Sequence, residues 1–229
     1  MNVICVFLIA LVLITGYYTV TNSKNSAPNF NPNNMEKPPT SNGLSTNNLI
    51  ILGICTFVLI TSLSIIVDSS SSVYKTAPMF FITNTKAIIN LENTTLTYGS
   101  NILLSIKGTN EWGNSGSNGG NLELNATNQK LSGDIILDSL SSVDINLKSS
   151  TLTSTVNNNK KAKEVNISID KNSKWNVEGN SYINTLKLTN NDLNLIKDNG
   201  HNVYYDKEAN EWLDGKTYTL QDGGKLIPR

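Results

Sequence analysis

Asp134, Asp138 and Asp144 lie within eleven residues of one another. Closely placed carboxylates are what hydrolysis of a glycosidic bond requires, one protonating the leaving oxygen while the other activates water or attacks the sugar. If this segment folds as stacked strands, the three could share one face across adjacent turns of the chain. Solvated or turn-forming aspartates account for the same pattern, because Asp readily bonds the backbone two residues on. A lyase would need an Arg or Lys base beside calcium-binding carboxylates, and the only arginine is Arg229. The nonapeptide calcium-binding repeat is missing as well. The expectation is therefore no catalytic residue and no enzyme activity, with a polysaccharide-active, glycoside hydrolase-like enzyme as the alternative.

Binding groups are easier to nominate. The run Gly113 to Gly120 is rich in Gly, Asn and Ser, but no Gly-Lys-Ser/Thr follows and no helix begins there, so it is not a phosphate cradle. It reads as a loop protruding from a rigid scaffold, where binding residues concentrate. Trp112, Asn114, Ser115 and Asn118 are the expected ligand contacts, with packing at the loop root as the other role open to Trp112. Trp175, alternating with Val177, reads as core, and His201 beside Gly200 as a turn residue. Asn93, Asn125 and Asn166 each open an Asn-X-Ser/Thr triplet, which matters only in a eukaryotic secretory pathway. His201 is the only histidine, and Cys5 and Cys55 both sit in apolar runs. Neither a metal nor a cofactor is expected, and the rigidity of the polar part must come from backbone pairing.

Lys plus Arg equals Asp plus Glu at 18 each, so no overall basic field draws nucleic acid, which is not an expected partner. The membrane is one. Val3 to Val20 is almost wholly apolar and ends near Tyr17 and Tyr18, rings that favour a lipid interface. It reads as an anchoring helix (residues 1–20) rather than a cleaved signal peptide, since no basic residue precedes it and no clear small-residue cleavage site follows. A second run, Leu49 to Val67, carries no charge over 19 residues, about the length that crosses a hydrocarbon layer of roughly 30 Å, and shows no polar stripe. It reads as a second spanning helix. Residues 21–48, rich in Asn, Pro and Ser, form a linker. Lys24 and Lys37 would hold that linker in the cytoplasm and both ends of the chain outside, whereas its composition resembles an exposed outer spacer.

Past a Ser-rich joint at 68–77 the texture becomes short alternating strands with Asn, Gly, Ser and Asp between them. The nine residues Ile89 to Thr97 recur at Ile145 to Thr153, six of nine positions matching at a separation of 56. Between and beyond them the pairs and triplets Leu122/Leu124, Val143/Ile145/Leu147, Val165/Ile167/Ile169 and Leu186/Leu188 end at steps of 23, 22 and 19 residues. A period near 20 made of strand and turn alone predicts an all-β fold, a right-handed parallel β-helix over 78–229. An antiparallel sandwich is the competing arrangement. In the β-helix Val165, Ile167 and Ile169 point inward while Glu164, Asn166 and Ser168 face water. Asn at the corners adopts left-handed dihedrals and its amides ladder from coil to coil. Pro78 to Phe81 would cover the top of the stack, and a cap beginning near 199, with Tyr204, Tyr205, Trp212, Tyr218 and Leu226, the bottom.

Three stretches, Met79 to Thr85, Glu111 to Gly120 and Lys174 to Tyr182, resemble uncharacterised clostridial-type cell-surface right-handed β-helix proteins and, more distantly, the last coils of pertactin-like adhesin passengers. The likeness covers about residues 76 to 229. It implies display at a bacterial surface, with the β-helix outside the cytoplasm and a glycan or surface protein as ligand, and it supplies no catalytic residues. Longer relatives carry more coils and a further membrane segment, so the resemblance also implies an internally shortened chain.

Overall fold

A computed structural model describes residues 56–61 and 64–229, with side chains from Ser64 onward. The first apolar run and the linker, with Trp-free residues 1–48 and both cysteines, lie outside the described residues. The described chain is all-β and its sheets are parallel, except for one terminal pair.

Strands come in successive triplets. β1 (Thr56–Thr61), β2 (Ser64–Ile66) and β3 (Phe80–Ile82) are followed by β4 (Thr85–Glu92), β5 (Thr95–Thr97) and β6 (Ile102–Ile106), then by β7 (Gly120–Thr127), β8 (Lys130–Ser132) and β9 (Asp134–Leu137). Next come β10 (Ser142–Lys148) and β11 (Thr151–Ser154), with a lone bridge at Val156 in third place. β12 (Glu164–Ile169), β13 (Lys174–Val177) and β14 (Ser181–Tyr182) precede β15 (Thr185–Leu188), β16 (Ile196–Lys197) and β17 (Val203–Tyr205), and the chain ends with β18 (Tyr218–Thr219) and β19 (Lys225–Pro228). Apart from breaks between β5 and β8 and after β9, strands pair with their counterparts one triplet away, so three walls rise together. The first wall is the continuous sheet β1-β4-β7-β10-β12-β15. The second holds β2-β5 and then β8-β11-β13-β16, and the third β3-β6-β9 and then β14-β17-β19.

Alternation builds the interior. β4, β7, β10 and β12 each bury every second residue, placing Ile89, Leu124, Ile145 and Ile167 in one line. Ile89 and Ile145 are thus two coils apart, which is the origin of the 56-residue repeat. On the second wall Leu131, Leu152, Trp175 and Ile196 form an equivalent buried row. The indole N–H of Trp175 donates to the Ser154 carbonyl at 3.2 Å, satisfying the polar handle that a buried tryptophan must place. Corners are tied by hydroxyls: Ser150 Oγ accepts from Gln129 N, and Ser173 Oγ from Ser150 N, both at 2.9 Å. The residues before them, Asn128 and Ser149, and Asn93 one coil earlier, are left-handed at φ 51°, 48° and 49°, as expected for Asn at a corner.

Several expectations change. The second apolar run is not a spanning helix over its described part: Thr56–Thr61 is a strand in register with Ala87–Glu92, and Ser64–Ile66 pairs with Thr95–Thr97. An uncharged run rich in Ile, Val and Thr suits lipid and a parallel sheet equally well, and pairing with β4 decides between them. Among the described residues no helix is long and apolar enough to cross a membrane. Among the described residues the strand stack extends back to Thr56, ahead of the expected start at 78, and residues 68–77 are a turn within the first described coil. Met79, Phe80 and Phe81 are buried in the third wall instead of covering the top. The coil length is not uniform. Thr56, Ala87, Leu122, Val143, Val165 and the Thr185–Asn166 pairing advance by 31, 35, 21, 22 and 19 residues.

The end near 199 is closed by polar side chains as well as bulk. β17 and β19 still pair in parallel, and only β18 turns back antiparallel on β19. Tyr205, Leu213 and Leu226 are fully buried beneath the last coil. The exposed edge of β15 is occupied: Asn210 Oδ1 accepts from Leu186 N at 2.7 Å and Trp212 Nε1 donates to Leu186 O at 3.0 Å. Two side chains stand in for the strand that a further coil would supply, which blunts an edge prone to pairing with other chains. The fully buried Asp198 carboxylate accepts from Asp222 N at 2.9 Å, Gly224 N at 2.6 Å and Gly200 N at 3.2 Å, pinning the terminal hairpin.

Candidate functional site

The outer face of the first wall holds the most developed polar surface. Successive strands put Asn90, Asn125, Asn146, Ser168 and Lys187 in one outward row, and Glu123, Asp144, Asn166 and Thr185 in the next. The amides form a ladder. Asn125 Nδ2 donates to Asn90 Oδ1 at 2.9 Å and Asn146 Nδ2 to Asn125 Oδ1 at 2.8 Å. Asn125 Nδ2 also reaches Glu123 at 2.9 Å, and Asn166 Nδ2 bridges Asp144 at 2.7 Å and Glu164 at 2.9 Å. The ladder therefore runs along strand middles and not along the corners. It arises because an in-register parallel sheet stacks equivalent residues about 4.8 Å apart, within reach of one amide to the next.

Along this face run two adjoining open grooves, of about 480 Å³ and 270 Å³, which share Asn146, Ser168 and Lys187. The larger ends at Lys148, Asp170 and Thr189, the smaller at Glu123 and Asp144. Burial works against the charge of Asp170, but bonds from the Ser173 hydroxyl and the Ser149 and Asn172 amides, together with Lys148, hold its carboxyl below the usual value. The trough offers carbonyl and carboxylate acceptors, amide and ammonium donors and hydroxyls on a rigid sheet. Groups of these kinds can exchange hydrogen bonds with hydroxyl groups. Two of its carboxylates, Glu123 and Asp144, are register neighbours on adjacent strands, and among the described residues no group of three His, Cys, Asp or Glu side chains is placed to hold a metal ion.

The three aspartates do not converge. Asp134 opens β9 on the third wall, Asp138 sits in the corner after it, and Asp144 is on β10 of the first wall. Asp138 is spent on backbone and hydroxyl donors, accepting from Gly108 N at 2.8 Å, Leu140 N at 3.1 Å and Ser141 Oγ at 2.6 Å. Asp134 lies near the Tyr98 hydroxyl, which burial and then this charge push up to about 12.

The loop 107–119 leaves the stack between β6 and β7. Asn114 and Ser115 are exposed at its tip, whereas Asn118 is buried and committed internally, its amide donating to the carbonyls of Thr109 and Trp112. Trp112 is half-buried, with its indole N–H enclosed and without an acceptor among the described residues. Gly119 is required at the loop's return, because a Cβ there would lie 2.3 Å from the Leu140 carbonyl oxygen. Trp175 is core, and His201 closes the turn that begins at Asp198, its N–H donating to Asp198 O at 2.8 Å. Of the trough residues, Asp144 was a candidate and Asn166 and Ser168 were expected to face water, whereas the amide ladder was not foreseen, although a signal was present: the repeated Ile-Asn-Leu at 89–91 and 145–147 places Asn90 and Asn146 at one register position. No family model, curated protein or solved structure matches the chain.

Proposed function

We propose that the protein is a non-enzymatic bacterial surface module whose parallel stack is a right-handed β-helix binding a glycan along the trough of its first wall. The observation that carries this reading is the outward amide ladder Asn90-Asn125-Asn146, flanked by Glu123, Asp144 and Lys187. The ladder itself takes both Nδ2 hydrogens of Asn125, which leaves the Asn146 amide, the carboxylates and the Lys187 ammonium as the groups that meet sugar hydroxyls, held rigid by the sheet so that little ordering entropy opposes binding. A right-handed winding is favoured because parallel strands linked by crossovers are overwhelmingly of that hand. The apolar segment 3–20 supports attachment to the membrane with the stack outside the cytoplasm. The resemblance to cell-surface β-helix proteins agrees with display there.

The full chain, applied to an array of neutral oligosaccharides, is expected to retain ligand and release it with unchanged mass. Asn146→Ala combined with Asp144→Asn should remove that binding, while Trp112→Ala reports whether the loop contributes. Absence of binding across the array would defeat the proposal, as would the appearance of shortened products.

A further inference from the structure

The zero net charge conceals a segregation that appears only when the strands are stacked. We propose that the outer face of the second wall docks a linear anionic glycan, a surface separate from the trough of the first wall. One outward row of this wall reads Lys130, Thr151, Lys174 and the next Ser132, Thr153, Asn176, Lys197. Neither row contains a carboxylate, whereas the outside of the first wall mixes Glu92, Glu123, Asp144 and Glu164 with Lys86, Lys148 and Lys187. Lys130, Lys174 and Lys197 are exposed, and the ion pairs among the described residues involve other lysines, Lys207 and Lys216. Lys171 stands exposed at the adjoining corner. Two carboxylates flank this wall at its corners, Asp170 before β13 and Glu178 after it, and both are tied by hydrogen bonds outside the lysine rows. Asp170 accepts from Ser149 N and Ser173 Oγ, and Glu178 from Asn199 Nδ2.

Geometry selects the ligand class. Lys130 and Lys174 stand two strands apart, roughly 10 Å at the spacing of a parallel sheet, with the Thr151 hydroxyl between them. That matches a polymer bearing one negative charge per disaccharide-sized unit, lying across the strands with its hydroxyls over Thr151, Ser132 and Thr153. No aromatic side chain stands in either row, so the face lacks the stacking platforms on which single-stranded nucleic acid depends.

The test titrates the full chain with hyaluronan oligosaccharides, which carry one carboxylate per disaccharide, against neutral dextran and oligothymidylate. Hyaluronan should bind, and raising the salt should weaken it, because attraction between exposed charges is screened over a Debye length of about 10 Å at 0.1 M. Combining Lys130→Gln, Lys174→Gln and Lys197→Gln should weaken it roughly a hundredfold and flatten the salt dependence without changing the melting temperature. The corresponding triple Lys→Arg variant should keep binding, and Asn146→Ala in the trough should leave it unchanged. The proposal is overturned if hyaluronan does not bind, if dextran or oligothymidylate binds as tightly, if the Gln variant binds like the parent, or if the Arg variant loses binding.

Discussion

Replacing Asp198 by Asn tests how the last coil is held. In the native chain one fully buried carboxylate receives three backbone N–H groups, from Asp222, Gly224 and Gly200, with Gly224 the closest at 2.6 Å. Burial by itself would raise the pKa of this group, but the bonds from the Asp222, Gly224, Asp198 and Gly200 amides outweigh it and hold the carboxyl below its ordinary value of 3.8. An Asn amide keeps one oxygen and turns an NH₂ toward a backbone donor, so at least one buried N–H loses its acceptor and the rest lose charge assistance. A lost charge-assisted bond plus an unsatisfied donor costs about 2–4 kcal/mol. For a domain of this size that lowers the melting temperature by roughly 5–15 °C. Because stacked coils open from their ends, hydrogen exchange should show the loss first at Val203 to Pro228. The pH dependence follows from the depressed folded pKa. The carboxylate's stabilisation is complete above the unfolded value near 3.8 and declines as pH falls through the lower folded value. Native protein and the Asn variant should therefore converge in stability in strong acid and differ most at neutral pH. Equal melting temperatures at pH 7, with unchanged exchange in the terminal hairpin, would refute the reasoning.

Trp175→Ala should destabilise by about 3–5 kcal/mol, since the side chain is fully buried between Leu152 and Ile196; chemical denaturation followed by far-ultraviolet circular dichroism measures it. Asn210→Ala removes the acceptor of Leu186 N and the donor to the Asn184 and Asp206 carbonyls, at about 1–3 kcal/mol. It also uncovers the β15 edge, so light scattering should detect faster self-association than for the parent chain.

What sequence alone determined was the wall: alternation in Val165/Ile167/Ile169 separates inside from outside, and the 56-residue echo reflects Ile89 and Ile145 standing two coils apart. Left-handed Asn at the corners was legible too, since a short side chain that bonds its own backbone adopts that conformation at least cost. The tertiary structure decided everything that depends on which residues become neighbours across coils. The 13-residue loop 107–119 lengthens one coil to 35 residues, and periodicity measured over shorter coils cannot foresee such an insertion. The apolar run ending at Val67 satisfies lipid or sheet with the same side chains, and its pairing with β4 and β5 made its described part strand. Asp134, Asp138 and Asp144 were close along the chain but were sent to a wall, a corner and another wall. Lys130, Lys174 and Lys197, distant in sequence, were gathered onto one face. Local pattern fixes the direction a side chain points from its own strand, whereas the register between strands, which sets what it stands beside, is a property of the whole stack.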